Sequence, residues 1–222
     1  MTIVRTTTIR ATLLGVLALS AFPAFADADP AFDGALHNLE VHWETVKFTV
    51  PPGDKQTTEM EKVGAEADAL MARYPNRVEA EIWDGILKSE QASMASAFSA
   101  LSLAKEARAV LEKAYTENPA ALDAGAPTSL GVLYYRVPGF PIAFGDNKKA
   151  RSLLEQATAS APQGLDAWYF YGDFLMNQGE NDKARQVFTY ALSIPENPAR
   201  PLWDKSRRQV IKEDLAKLQA KT

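Results

Sequence analysis

Three prolines, Pro75, Pro119 and Pro162, close the same pattern, and that recurrence constrains the fold more than anything else in the chain. Ala150, Leu154 and Ala157 precede Pro162. Ala107, Leu111 and Ala114 precede Pro119, and Val63, Ala67 and Leu70 precede Pro75. The offsets of twelve, eight and five residues are shared by all three. This spacing writes one amphipathic helix three times, which is the signature of a helical repeat array. In such an array each unit buries its apolar face on its neighbours, so function belongs to grooves and loops.

The unit nearest the C-terminus is the clearest. Trp168-Tyr169-Phe170-Tyr171-Gly172-Asp173-Phe174-Leu175 opens it, Gly179 turns the chain, and Ala184, Phe188 and Ala191 follow at helical spacing before Pro195. Gly172 and Ala184 are small where two helices approach closely, and Phe188 fills the space beside them. The order resembles the tetratricopeptide repeat, W-x2-L-G-x2-Y, then A-x3-F, then P. Tyr171 and Leu175 stand where that repeat has Leu and Tyr, and the proline comes one residue early.

Gly131 and Ala150 repeat the Gly172 and Ala184 pair at a separation of 19 residues instead of 12, so seven are extra, within Tyr135 to Asp146. Gly85 and Ala107 are 22 apart, which adds ten residues around Ser89 to Ser102. These ten either lengthen the helices or form a helical excursion. The pattern predicts units at about 31–75, 76–119, 120–162 and 163–196, with a capping helix over 201–221 whose stripe is Trp203, Val210, Ile211, Leu215 and Leu218. The expected fold is an all-α, right-handed solenoid of one domain, 27–222, with no strand pattern.

Residues 1–26 read as a cleavable export signal. Arg5 and Arg10 make a basic start, Ala11 to Phe22 is apolar, and Ala24-Phe25-Ala26 is an A-x-A cleavage pattern. The chain contains no cysteine, so it forms no disulfide and has no thiolate nucleophile. Together these point to a soluble periplasmic protein without a membrane span after cleavage. Removing the two arginines shifts the net charge from −4 to −6, which disfavours nucleic acid as a partner.

Catalytic chemistry finds little to stand on. His37 and His42 are five apart and do not share a helix face, so no metal site is expected. No nucleophile elbow, zinc-protease pattern or phosphate loop occurs. The chain reads as non-enzymatic, with no cofactor.

The candidate binding residues are aromatic and apolar. The insertion carries Phe140, Ile142 and Phe144 between stiffening prolines. It is expected to lie against the solenoid near Tyr135 and Tyr169, either as a pocket wall or as packing. The first helices present inward sets: Glu79, Ile82, Ile86 and Ser89, then Gly125, Thr128, Val132 and Tyr135, then Asp166, Tyr169, Asp173 and Met176. That groove reads as apolar and somewhat acidic, without the basic cluster of a carboxylate clamp. Tyr135, Phe140, Ile142, Phe144, Tyr169, Asp173 and Met176 are therefore the expected contacts for a ligand or partner.

The stretch from Gly131 to Asp146, with Tyr169 to Leu175, is similar to periplasmic tetratricopeptide proteins grouped with the T component of tripartite ATP-independent periplasmic transporters. The resemblance implies a transport accessory that engages a substrate-binding protein or a small hydrophobic ligand. Lipid-anchored members need a cysteine that this chain lacks. The alternative is an assembly scaffold for an envelope complex that takes no small molecule.

Export is checked by N-terminal sequencing of the protein released by osmotic shock. The expected first residue is Asp27; an intact N-terminus in the membrane pellet contradicts it.

Overall fold

Residues 29–220 are described by the computed structural model; the export signal expected over 1–26 lies outside them. Within this range the chain forms nine helices: α1 (Pro30–Thr49), α2 (Asp54–Arg73), α3 (Val78–Met94), α4 (Ala97–Glu117), α5 (Ala121–Arg136), α6 (Asn147–Ser160), α7 (Leu165–Asn177), α8 (Asn181–Ser193) and α9 (Pro201–Gln219). The fold is all-α; the one bridge among the described residues, Gly139 to Gly145, lies in a loop. Consecutive helices pack as antiparallel hairpins, and the odd-numbered helices α3, α5, α7 and α9 also pack on one another. The ten extra residues around Ser89–Ser102 are absorbed as longer α3 and α4.

Each recurring proline acts in the same way. The residue before it donates its backbone N–H to the carbonyl four positions back: Tyr74 to Leu70, Asn118 to Ala114 and Ala161 to Ala157, each at 2.9 Å. The residue then leaves the helical region, because the proline ring disfavours the α conformation in its predecessor. Gly179 ends α7 differently. At φ +78° it supports a bond from its own N–H to Met176 and one from Glu180 to Leu175, the paired carbonyl capping that favours glycine.

The repeat register rests on one close approach made three times. A Cβ on Gly85 would stand 2.4 Å from Leu111 Cγ, one on Gly131 2.6 Å from Leu154 Cγ, and one on Gly172 2.4 Å from Phe188 Cε1. Each partner lies four residues after a fully buried alanine, Ala107, Ala150 or Ala184. The small residues bring the two helices of a unit together, and the large one fills the space left beside them. One continuous core follows, from Phe32 to Leu218.

Helix α9 is fastened by a buried arginine. Arg208 donates to the carbonyls of Leu192, Ile194 and Pro195 at 3.2, 2.8 and 3.1 Å. These are end groups of α8 that a helix leaves without internal partners. Asp204 holds Arg208 from below at 2.6 Å and accepts the Asn197 N–H at 3.1 Å.

Gly172→Leu or Ala184→Leu is expected to lower stability by about 1–3 kcal/mol or more through overpacking. Denaturant melts that match the parent would remove this register.

Candidate functional site

The four first helices, α1, α3, α5 and α7, turn one side inward, and α9 completes the ring by packing on both α7 and α1. The ring lines a partly open chamber of about 520 Å³, a size typical of small-molecule sites. Eight of the twelve inward positions read from the sequence line it: Ile82, Ile86, Ser89, Gly125, Thr128, Val132, Asp166 and Tyr169. Glu79, Tyr135, Asp173 and Met176 lie outside the lining.

The closing contact centres on Arg200. Its guanidinium carbon lies 5.1 Å from the Trp203 ring, 5.6 Å from Trp83 and 5.9 Å from Trp43. Its charge meets Glu44 at 3.4 Å and Glu40 at 3.7 Å. A cation over indole faces is attracted by the ring quadrupole, more strongly as water is excluded. Trp83 donates its indole N–H to Glu40 at 3.2 Å. Burial raises the Glu40 carboxyl above its ordinary range, and Arg200 opposes that shift.

One to two turns along α9, Arg207 lies 4.2 Å over Tyr169 and 5.1 Å from Phe170, and pairs with Asp166 at 2.6 Å. Trp203 donates to the other Asp166 oxygen at 3.2 Å. Burial pushes the Tyr169 phenol up to about 12. Lys47 meets Glu90 across the rim at 2.6 Å. The chamber's cations are therefore matched by carboxylates, although Arg207 Nε and Asp166 Oδ1 meet as an ion pair without hydrogen-bond geometry. Of the other buried polar atoms in the lining, two have neither a hydrogen bond nor an ion-pair partner: the Trp43 indole N–H and the Thr128 hydroxyl, in residues only 4% exposed. Arg200 Nε also lacks a hydrogen bond, although its guanidinium is ion-paired through the other two nitrogens. A buried donor without an acceptor carries a desolvation cost that an incoming acceptor removes.

The backbone takes an unusual path into α5. Leu122, Asp123 and Ala124 have φ of 49°, 51° and 61°, a left-handed turn without a glycine. Such residues cost on the order of 1–3 kcal/mol each and persist where their surroundings hold them. Here Ala124 is buried against Ala157, Ala161 and Ala167, and the turn delivers Leu122 and Asp123 to the chamber wall.

The seven residues expected from sequence are not brought together. Tyr169 lines the chamber. Tyr135 donates its hydroxyl to Asp173, which also takes Arg136 at 2.6 Å; burial is the main cause raising the Tyr135 phenol. Met176 is half-buried against the main core. Phe144 packs away from the chamber, 5.8 Å edge-on to Tyr134 and under Arg108 at 4.4 Å. Phe140 and Ile142 do not pack on the solenoid: they are 93% and 73% exposed. The loop is stitched to itself and to α5, with Gly145 N–H to Pro138 and Asp146 N–H to Tyr134 at 2.9 and 2.8 Å, and this path turns the two tips outward. None of Phe140, Ile142 and Phe144 walls the chamber.

The groove is also more basic than expected, since Lys47, Arg136, Arg200 and Arg207 all line it, with Asn197. Sequence reasoning read Trp203 only as part of the α9 stripe and passed over Arg200 and Arg207 as wall residues, although spacings of three and four residues align Arg200, at the cap of α9, with Trp203 and Arg207.

A family model for the tetratricopeptide repeat matches residues 142–201. No curated protein matches the chain. Among solved structures, a thermophilic TPR protein of Thermus thermophilus is 16% identical, with a TM-score of 0.60 over 86% of this chain and 82% of that one. MamA of AMB-1 is 17% identical, with a TM-score of 0.41 over 84% and 94%. The Thermus likeness shows the shared fold.

Arg200→Leu removes the cation between Glu40 and Glu44 and leaves two shielded carboxylates facing each other. A loss of about 3 kcal/mol is expected, with Glu44→Gln restoring part of it. A thermal melt indifferent to Arg200→Leu would show that the seam contributes nothing.

Proposed function

We propose that this chain, a tetratricopeptide-repeat protein, is an exported, non-enzymatic binding protein that takes a small ligand or a partner's side chains into the partly open chamber. The observation that carries the reading is a recessed, partly open aromatic space in which the Trp43 N–H and the Thr128 hydroxyl are buried without hydrogen-bond partners. Tetratricopeptide repeats are protein-binding scaffolds as a rule and not enzymes, which supports an adaptor role. Among the described residues no group of three His, Cys, Asp or Glu is arranged to hold a metal, and no helix is long and apolar enough to cross a membrane.

The indoles of Trp43, Trp83 and Trp203 supply rigid apolar area at little entropic cost. The self-matched ion pairs make the walls electrically neutral, which suits an uncharged or weakly polar occupant. A transport-accessory role, in which the chain hands such a ligand to a substrate-binding protein in the periplasm, fits both the chamber and the resemblance of the stretch from Gly131 to Leu175.

The test is uptake of the neutral apolar dye N-phenyl-1-naphthylamine by the chain from Asp27 onward. Saturable binding is expected, weakened at least tenfold by Val132→Trp, which fills the chamber from α5, with the melt retained. No saturable uptake, together with a protein partner captured equally well by parent and Val132→Trp, would replace this reading with the assembly scaffold.

A further inference from the structure

The two insertions that interrupt the regular repeat end in the same kind of surface. Hairpin packing places every odd-to-even connection, at 50–53, 95–96, 137–146 and 178–180, along one edge of the solenoid. The longer α3–α4 hairpin presents Phe98 there at 93% exposure, and the adjacent α5–α6 loop presents Phe140 at 93% and Ile142 at 73%. No other large apolar side chain among the described residues reaches half exposure. The α5–α6 loop packs on the same helix that carries Phe98, since Arg108 of α4, about three turns further along, lies over Phe144, and Glu112 of α4 accepts from Tyr134 at 3.0 Å.

The tips are held out. Phe144 is anchored, the Gly139 carbonyl accepts the N–H groups of Ile142 and Ala143 at 3.1 and 3.2 Å, and Gly145 closes on Pro138. A slack loop could fold Phe140 back onto the protein; this one keeps it in water, where an apolar ring gains nothing. Lys148 and Lys149 follow in the first turn of α6; both are exposed and form no ion pair with a carboxylate among the described residues, the Lys149 ammonium resting 5.2 Å from the Tyr134 ring, while the neighbouring acid, Asp146, accepts from their backbone N–H groups at 2.9 and 3.1 Å.

We propose that this edge seats the protein on an anionic lipid surface, with Phe98, Phe140 and Ile142 entering the headgroup boundary and Lys148 and Lys149 facing lipid phosphates. Two arguments choose a bilayer over a protein. Three side chains offer on the order of 500 Å², below the roughly 800 Å² per partner of a stable protein interface. The tips are also convex, and a bilayer accepts a convex apolar tip without a matching pocket. Apolar tips beside basic residues are the pattern of interfacial binding.

The experiment is co-sedimentation of the chain from Asp27 onward, which retains every described helix and lacks the apolar N-terminus, with vesicles of phosphatidylglycerol and phosphatidylethanolamine or of phosphatidylcholine alone. Binding to the anionic vesicles is expected, reduced at least tenfold by combined Phe98→Ser, Phe140→Ser and Ile142→Ser. Lys148→Glu with Lys149→Glu is expected to abolish the anionic preference and its salt dependence. Naphthylamine uptake should be unchanged in both variants, which separates this surface from the chamber. Failure of the parent to sediment with anionic vesicles, or equal sedimentation of the serine variant, overturns the proposal. Capture of a protein that only the serine variant loses, without vesicle binding by the parent, assigns the edge to a protein and likewise overturns it.

Discussion

One guanidinium sits at the centre of the contact between the first and last described helices. Arg200, at the entry to α9, lies among three of the chain's four tryptophans and faces Glu40 and Glu44 of α1. A helical repeat array has no intrinsic reason to enclose anything, because each unit contacts only its neighbours. The α1–α9 contact supplies the missing wall and converts a groove into a chamber. The arrangement is costly to break from one side, since removing the cation strands two carboxylates, one of which, Glu40, burial already pushes toward the neutral form.

Closure of that kind depends on geometry set elsewhere. Gly85, Gly131 and Gly172 fix how near the two helices of a unit lie, through Leu111, Leu154 and Phe188. The repetition of one spacing brings the odd-numbered helices inward in succession and returns the chain toward its start. Arg208, by satisfying the last carbonyls of α8, then sets the position from which α9 meets α1. The inner surface is consequently aromatic and charge-matched, and the outer edge is left to the two insertions.

Much of this was legible because repeat folds write local structure into local spacing. The proline-terminated helices, the glycine register and the apolar stripe of Trp203 and Ile211 all follow from residues a few turns apart. The inward sets also placed Thr128 and Tyr169 on the correct wall. The seam was not legible, because Glu44 and Arg200 are 156 residues apart and no periodicity links them. The turn at Leu122, Asp123 and Ala124 was invisible for a different reason: none of these residue types announces a left-handed conformation. Phe140 and Ile142 were misplaced because apolar character was taken to require burial, whereas the loop's own hydrogen bonds fix their direction.

The account stands on contact between the first and last described helices, and the absence of cysteine makes that contact directly measurable with nitroxide labels at Val41→Cys in α1 and Lys205→Cys in α9, both exposed positions. Adjacent helices put the labels within about 20 Å of each other, so strong dipolar broadening is expected in the electron paramagnetic resonance spectrum. An open solenoid with four helix pairs between its ends would separate them by roughly 40 Å. A dominant distance in that longer range would contradict the closed ring and the chamber that depends on it.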